Sequence, residues 1–340
     1  MTTPPTISPK FLPSKDQLGV VAVGFSGGQG KPGVEAAPTA LIEAGLLESL
    51  RNDLEFTVHH DDMVHSYTEH IPVSDPPLRT ANARAPMLNP LTVSNVTRAL
   101  ADQVYEHASK GRFVLTLGGD HSIAVGSIAG TAKAIRERHH GRDMAVVWVD
   151  AHADINTPET SGSGNIHGMP VAFISGLAKP PKENPEIFGW IGDENRINIK
   201  NLVYIGLRDV DAGEKKILRE NGIRAFSMHD VDKYGIGKVM EMALEHINCG
   251  PGQEGMPVHL SFDVDALDPL VAPSTGTPVR GGLTLREGDF ICECIHETGC
   301  LVAMDLVEVN LLAGEDDLGA RETIRAGCSL VRCALGEILL

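Results

Sequence analysis

The chain has 340 residues, of which 42% are hydrophobic and 22% charged, and a formal net charge of −16. That length suits a large α/β sheet folded as one domain, whereas the acidic balance excludes a nucleic-acid surface, which needs a basic patch. No apolar run approaches the ~18 residues that span a bilayer, so no membrane partner is expected.

The Pro-rich start, residues 1–14, lacks a basic segment followed by an apolar run and reads as a loose arm rather than a secretory leader. Residues 18–24 read as the first buried strand. Gly28-Gln-Gly30-Lys-Pro-Gly33 follows and matches the dinucleotide fingerprint in form only. Lys31-Pro32-Gly33 delays the helix that would receive a pyrophosphate, and Pro38 is its better start. The stretch is therefore expected to be a loop near a pocket mouth. Apolar strand-like runs recur at 113–117, 144–149, 202–206, 224–227, 258–262 and 302–307, with helical patterns at 93–110, 122–139, 213–221, 231–248 and 285–298. Such alternation predicts βαβ units in a mainly parallel sheet covered on both faces, with no linker dividing 1–340. In such sheets ligands bind at the carboxyl ends of the strands.

Two of those ends carry ligand-type side chains at every second residue, in Asp150-Ala-His152-Ala-Asp154 and Asp263-Val-Asp265. In extended backbone residues i and i+2 face the same side, so each pair should converge. Asp120-His121, after the run 113–117, offers a further imidazole. One such pair alone would ordinarily be a turn or a cap. Carboxylates gathered in one pocket repel and take up protons unless a strong positive charge holds them ionised. Two divalent cations supply that charge, and an Asp/His set without thiolates suits manganese better than a thiolate-preferring ion. The six cysteines, Cys249, Cys292, Cys294, Cys300, Cys328 and Cys333, read as reduced thiols packed in helices.

Gly119-Asp-His121-Ser, Asp150-Ala-His152-Ala-Asp154-Ile-Asn156, Ser163-Gly-Asn165-Ile-His167-Gly-Met-Pro and Ser261-Phe-Asp263-Val-Asp265-Ala-Leu-Asp-Pro resemble the signatures of the arginases, binuclear manganese ureohydrolases. The resemblance runs from about Val21 to Leu335. It implies a three-layer α-β-α fold with a mainly parallel sheet, shared in outline with metal-dependent deacetylases. It also implies two Mn2+ per subunit. His121, Asp150, Asp154 and Asp263 would hold one ion, and Asp150, His152, Asp263 and Asp265 the other. A hydroxide shared by two ions about 3.5 Å apart is nucleophilic at neutral pH. It would attack the guanidinium carbon of L-arginine, giving L-ornithine and urea.

By the same resemblance Asp154 carries a proton to the departing amino group, His167 relays it to solvent, and Glu308 binds the guanidinium. Asn156, Ser163 and Asn165 would face the α-carboxylate, Asp211 and Glu214 the α-ammonium, and Thr277 joins the substrate-binding set. A salt bridge from Glu308 to Arg321 or Arg325 is the competing reading of that glutamate. Ser161-Gly162 stands where the resemblance leads to two threonines. Agmatinases carry a different loop where Ser163-Gly-Asn165 stands, so L-arginine is favoured over agmatine. A one-zinc deacetylase is the more remote alternative. The expected state is a cytoplasmic homotrimer or homohexamer.

Overall fold

The computed structural model describes residues 7–313 and 317–338. Residues 1–6 of the expected arm lie outside them. One sheet runs through the molecule, built from β1 (Gln17–Val23), β2 (Thr57–His59), β3 (Val64–His65), β4 (Phe113–Leu117), β5 (Ala145–Val149), β6 (Leu202–Leu207), β7 (Arg224–Ser227), β8 (Val258–Asp263) and β9 (Leu301–Val307). The spatial order is β2-β1-β4-β9-β8-β5-β6-β7, with β3 also pairing β1. Every pairing between these strands is parallel. All residues of β4, β5, β6, β8 and β9 are buried. That burial explains why they read as near-continuous apolar runs, since a parallel sheet is covered on both faces.

The helices are α1 (Ala37–Glu43), α2 (Leu46–Asn52), α3 (Pro90–Ser109), α4 (Ala124–Arg138), α5 (Pro170–Ile174), α6 (Ala212–Glu220), α7 (Met228–Tyr234), α8 (Ile236–His246), α9 (Leu285–Glu297) and α10 (Asp317–Ala334). Helices α3, α4 and α5 pack together in one layer, while α7, α8, α9, α10 and α1 touch in succession in another. The sheet between them completes the three layers. Helix α3 opens with Pro90 at its first turn, and the Asp75 carboxylate accepts from the Leu91 and Thr92 amides at 3.2 and 2.7 Å. Helices α6 and α9 open with capping boxes, Asp211 with Glu214 and Thr284 with Glu287. Where α3 meets α4 the backbones approach so closely that a Cβ on Gly126 or Gly130 would lie 2.5 or 2.4 Å from a carbonyl oxygen of α3.

Three expectations are corrected. The single helix over 231–248 is two, because Gly235 at φ 76° breaks it between α7 and α8. The edge pairings β2 and β3 were not expected from the sequence. Cys249 and Cys300 are not helical: the first follows α8 and the second precedes β9.

Candidate metal centre and active site

The site lies at the carboxyl ends of the five middle strands. Asp150, His152 and Asp154 follow β5, Asp263 ends β8 with Asp265 just beyond, His121 follows β4, Glu308 follows β9, and Asp211 and Glu214 follow β6. The convergence of each i, i+2 pair has a cause other than strand alternation. The strands stop, and the first aspartate accepts from the amide two residues on: Asp150 Oδ1 from His152 N and Asp263 Oδ1 from Asp265 N, both at 2.7 Å. Asp120 repeats the turn after β4, accepting from Ser122 N at 2.9 Å. This places His121 at the start of a 3-10 turn, with its own amide donating to Glu308 Oε1 at 2.9 Å.

His121 Nδ1 stands 3.2 Å from Asp150 Oδ2, 3.1 Å from Asp154 Oδ2 and 3.2 Å from Asp263 Oδ2. His152 Nδ1 stands 3.3 Å from Asp150 Oδ1 and 3.2 Å from Asp265 Oδ2. Asp150 thus belongs to both groups of metal-ligating atoms, His121 with Asp263 on one side and His152 with Asp265 on the other. Among the described residues no lysine or arginine forms an ion pair with these four carboxylates. Burial and repulsion from neighbouring aspartates push Asp263 well up, and Asp154 up to about 6. His121 Nδ1 is buried and aimed at three carboxylate oxygens, yet it makes no hydrogen bond. An imidazole nitrogen turned toward three carboxylates, which hold its pKa well above the ordinary value against the downward push of burial, beside a fourth carboxylate, is the donor set of a divalent cation site, and the residues fit one.

Supports behind the ligands fix their poses. Trp148 Nε1 donates to Asp150 Oδ2 at 2.8 Å and its ring stacks on His121 at 4.0 Å. His121 Nε2 meets Ser261 Oγ at 2.9 Å, and Thr277 Oγ1 donates to Asp265 Oδ2 at 2.9 Å. Such outer partners set ring orientation and ligand basicity. Asp154 and Glu308 take left-handed backbone conformations, φ 48° and 64°. Both are non-glycine residues in a region that costs free energy and clusters at functional sites.

A cavity of about 230 Å³ opens beside the centre, lined among others by His152, Asp154, Asn156, His167, Asp211, Glu214 and Thr277. Asn156 Nδ2 donates to Asp211 Oδ2 at 2.8 Å. Burial and the nearby Asp154 raise Glu214 to about 8. Ser163 is exposed, with its Oγ accepting from Asn165 N at 3.2 Å, and neither residue lines the cavity. The loop carrying them is held despite the missing threonines, because buried Ser161 Oγ accepts from Gly164 N at 3.0 Å. Glu308 is buried behind His167, whose Nδ1 is 3.2 Å from Oε1. That contact holds Glu308 low against the upward push of burial and raises His167 to about 9. The arginine reading of Glu308 fails: Arg325 pairs with Glu322 at 2.8 Å, and Arg321 donates to the Asp317 carbonyl at 3.3 Å.

Sequence reasoning missed Gln29, a buried residue whose Nε2 donates to Glu308 Oε2 at 2.9 Å. It lies in the glycine loop set aside as a dinucleotide decoy, which docks through Gly28 N on Asp120 at 2.8 Å and through His167 N on the Gly28 carbonyl at 3.0 Å. The polar residue inside an otherwise glycine-rich stretch was the available signal.

A parallel α/β sheet with a carboxylate and imidazole centre on its carboxyl rim defines the class as an α/β protein with a candidate metal centre at its strand ends. A model of the arginase family matches residues 16–336, and the chain belongs to that family. It is 68% identical to an arginase of Neurospora crassa over 98% of this chain and 90% of the relative. The fold superposes on an arginase of Bacillus cereus with a TM-score of 0.80 at 35% identity, over 96% of this chain and 100% of the other. A structure of Entamoeba histolytica arginase in complex with L-ornithine matches with a TM-score of 0.77 at 30% identity, covering 95% of this chain and 98% of that one.

Proposed function

We propose that the chain hydrolyses L-arginine to L-ornithine and urea in a single catalytic domain that holds two manganese ions. The observation that carries the reading is the shared Asp150 between two sets of ligand atoms, opening onto a cavity with Asp211 and Glu214 on its wall. His121, Asp150, Asp154 and Asp263 would hold one ion, and Asp150, His152, Asp263 and Asp265 the other. Bound there, the pair offsets the four carboxylates and lowers the pKa of water toward neutrality.

The chain's own groups do the rest. Glu308 is buried with His167 as its one ionic partner among the described residues, and its carboxylate orients the substrate guanidinium through charge-assisted hydrogen bonds. Asp154 holds a proton at its carboxylate and delivers it to the departing amino group. His167 is about one-fifth exposed, 19%, and passes protons between the cavity and solvent. Asp211 and Glu214 face the α-ammonium, and that cation would return Glu214 to its ionised form. Asn156 on the cavity wall, with Ser163 and Asn165 from the loop outside it, would meet the α-carboxylate, and Thr277 steadies Asp265 beside the substrate. Support for the substrate also comes from the ornithine complex of the Entamoeba relative. The family reading further carries a cytoplasmic homotrimer or homohexamer, which light scattering on the purified protein measures.

The test is urea release by manganese-loaded protein across guanidino compounds. L-arginine should turn over fastest. Faster release from agmatine or guanidinobutyrate would overturn the substrate assignment. Metal analysis should return two manganese per chain, against one zinc for an amide deacetylase.

A further inference from the structure

At the opposite end of the sheet from the metal centre, two thiols meet. Cys249 Sγ lies 3.4 Å from both the amide nitrogen and the carbonyl oxygen of Met256. Val258 N donates to the Cys300 carbonyl at 2.9 Å, which folds the segment 249–258 back onto the start of β9. The same turn brings the two side chains together, with Cys249 Sγ against Met256 and Cys300 Sγ beside the adjacent Gly255. Lys10 stands above them: an ideal Cβ on Gly255 would lie 2.8 Å from Cys300 Sγ and 3.3 Å from Lys10 Nζ. The remaining cysteines are also free thiols.

The electrostatics separate the two sulfurs. The hydrogen bond from Cys249, with help from Thr298 and the Lys10 ammonium, lowers Cys300 to about 6 despite burial. Its partner is pushed up by the same bond and by burial. Cys292, Cys294, Cys328 and Cys333 are all raised by burial, so none of them offers a thiolate near neutral pH. The Lys10 ammonium next to the Cys300 sulfur favours the thiolate there, which makes Cys300 the nucleophile and Cys249 the resolving cysteine. Both are buried, but the cover is thin: a glycine-rich turn, Gly250 to Gly255, in which Pro251, Gly252 and Glu254 are exposed, and the exposed Lys10.

We infer that Cys249 and Cys300 are a modification site, a dithiol that a hydroperoxide converts to a disulfide. The Cys300 thiolate attacks a peroxide oxygen, the O–O bond breaks, and the released alkoxide or hydroxide takes up a proton. Cys249 then attacks the resulting sulfenic sulfur, an S–S bond forms, and the S–O bond breaks with loss of water. Two thiols are oxidised and one peroxide is reduced. The site is independent of the proposed reaction, because Cys300 precedes β9 whereas Glu308 follows its far end.

The experiment treats the reduced, manganese-loaded full chain with one equivalent of hydrogen peroxide and maps its peptides without reductant. The expected result is a Cys249 to Cys300 cross-link with a loss of about 2 Da, reversed by dithiothreitol, while urea release persists. In C249S, dimedone should label Cys300 and no cross-link should form. Disulfides between other cysteines, both thiols still alkylatable after treatment, or dimedone on Cys294 or Cys328 in place of Cys300 would each overturn the inference. The map of the unsubstituted chain decides the matter even if a variant fails to fold.

Discussion

Asp154 differs from the other aspartates of the centre in its backbone, at φ 48°, and its carboxyl is raised to about 6 by burial and by Asp150. It contacts His121 and also lines the cavity, a position that suits the proposed ligation and proton transfer. Asp154→Asn keeps the shape and tolerates the left-handed backbone. It should retain most of the metal while kcat falls about 100-fold or more, the usual contribution of a positioned acid or base. Unchanged turnover in a metal-replete variant would remove Asp154 from the proton path. Glu308 and Gln29 give a graded pair. Glu308→Gln removes the charge proposed to meet the guanidinium, and kcat/KM should fall about 10- to 100-fold. Gln29→Ala removes only the amide that holds Oε2 at 2.9 Å, so steady-state kinetics should show a rise in KM of about tenfold or less. An equal KM would mean that Glu308 keeps its pose without Gln29.

At the scale of elements, α3 lies against β1 through His107, whose ring would sit 2.4 Å from a Cβ on Gly19. Burial, with Arg112 and Lys110 nearby, lowers this histidine to about 4. The unfolded chain takes up the proton near pH 6.5 and the folded chain does not. Its contribution is therefore present above about 6.5 and lost as pH falls toward about 4, worth at most about 2 kcal/mol after allowing for partial exposure. Denaturant titrations of His107→Gln should show a flatter acid limb across that window, and an unchanged limb would refute the assignment. The middle strands were legible because double-sided burial forces uninterrupted apolar residues. Strands β2 and β3 were not, being three and two residues long and only partly buried. The break at Gly235 was hidden because apolar residues keep helical spacing on both sides of it. The ligands were readable from their pairing at strand ends, although the cause proved to be the aspartate turns. Gln29 and the packing of Glu308 on His167 depend on segments far apart in the chain, where local pattern carries no information.

For the whole molecule, four carboxylates share one buried rim whose ionic partners among the described residues are His121 and His152, with no arginine or lysine pair, so bound divalent ions should stabilise the native state. Removing divalent ions with a chelator should lower Tm, and restoring manganese should raise it again. A ligand at about 100 times its Kd stabilises by about 2.7 kcal/mol, which corresponds to roughly 4 °C in a domain of this size. Calorimetry showing the same Tm with and without chelator would contradict that dependence.

The strand order has a consequence for how the protein is made. Strands β8 and β9 come last in the chain yet lie between β4 and β5 in the sheet. During synthesis, His121 and the Asp150 turn leave the ribosome on two strand groups that nothing in the sheet yet joins. Domains are completed as units while chains grow at about 5–20 residues per second. The centre therefore stays divided until the closing strands insert between its halves. A nascent chain halted before residue 258 would hold four of the six proposed ligands but lack Asp263 and Asp265, so the proposed centre is completed only when the closing strands fold in.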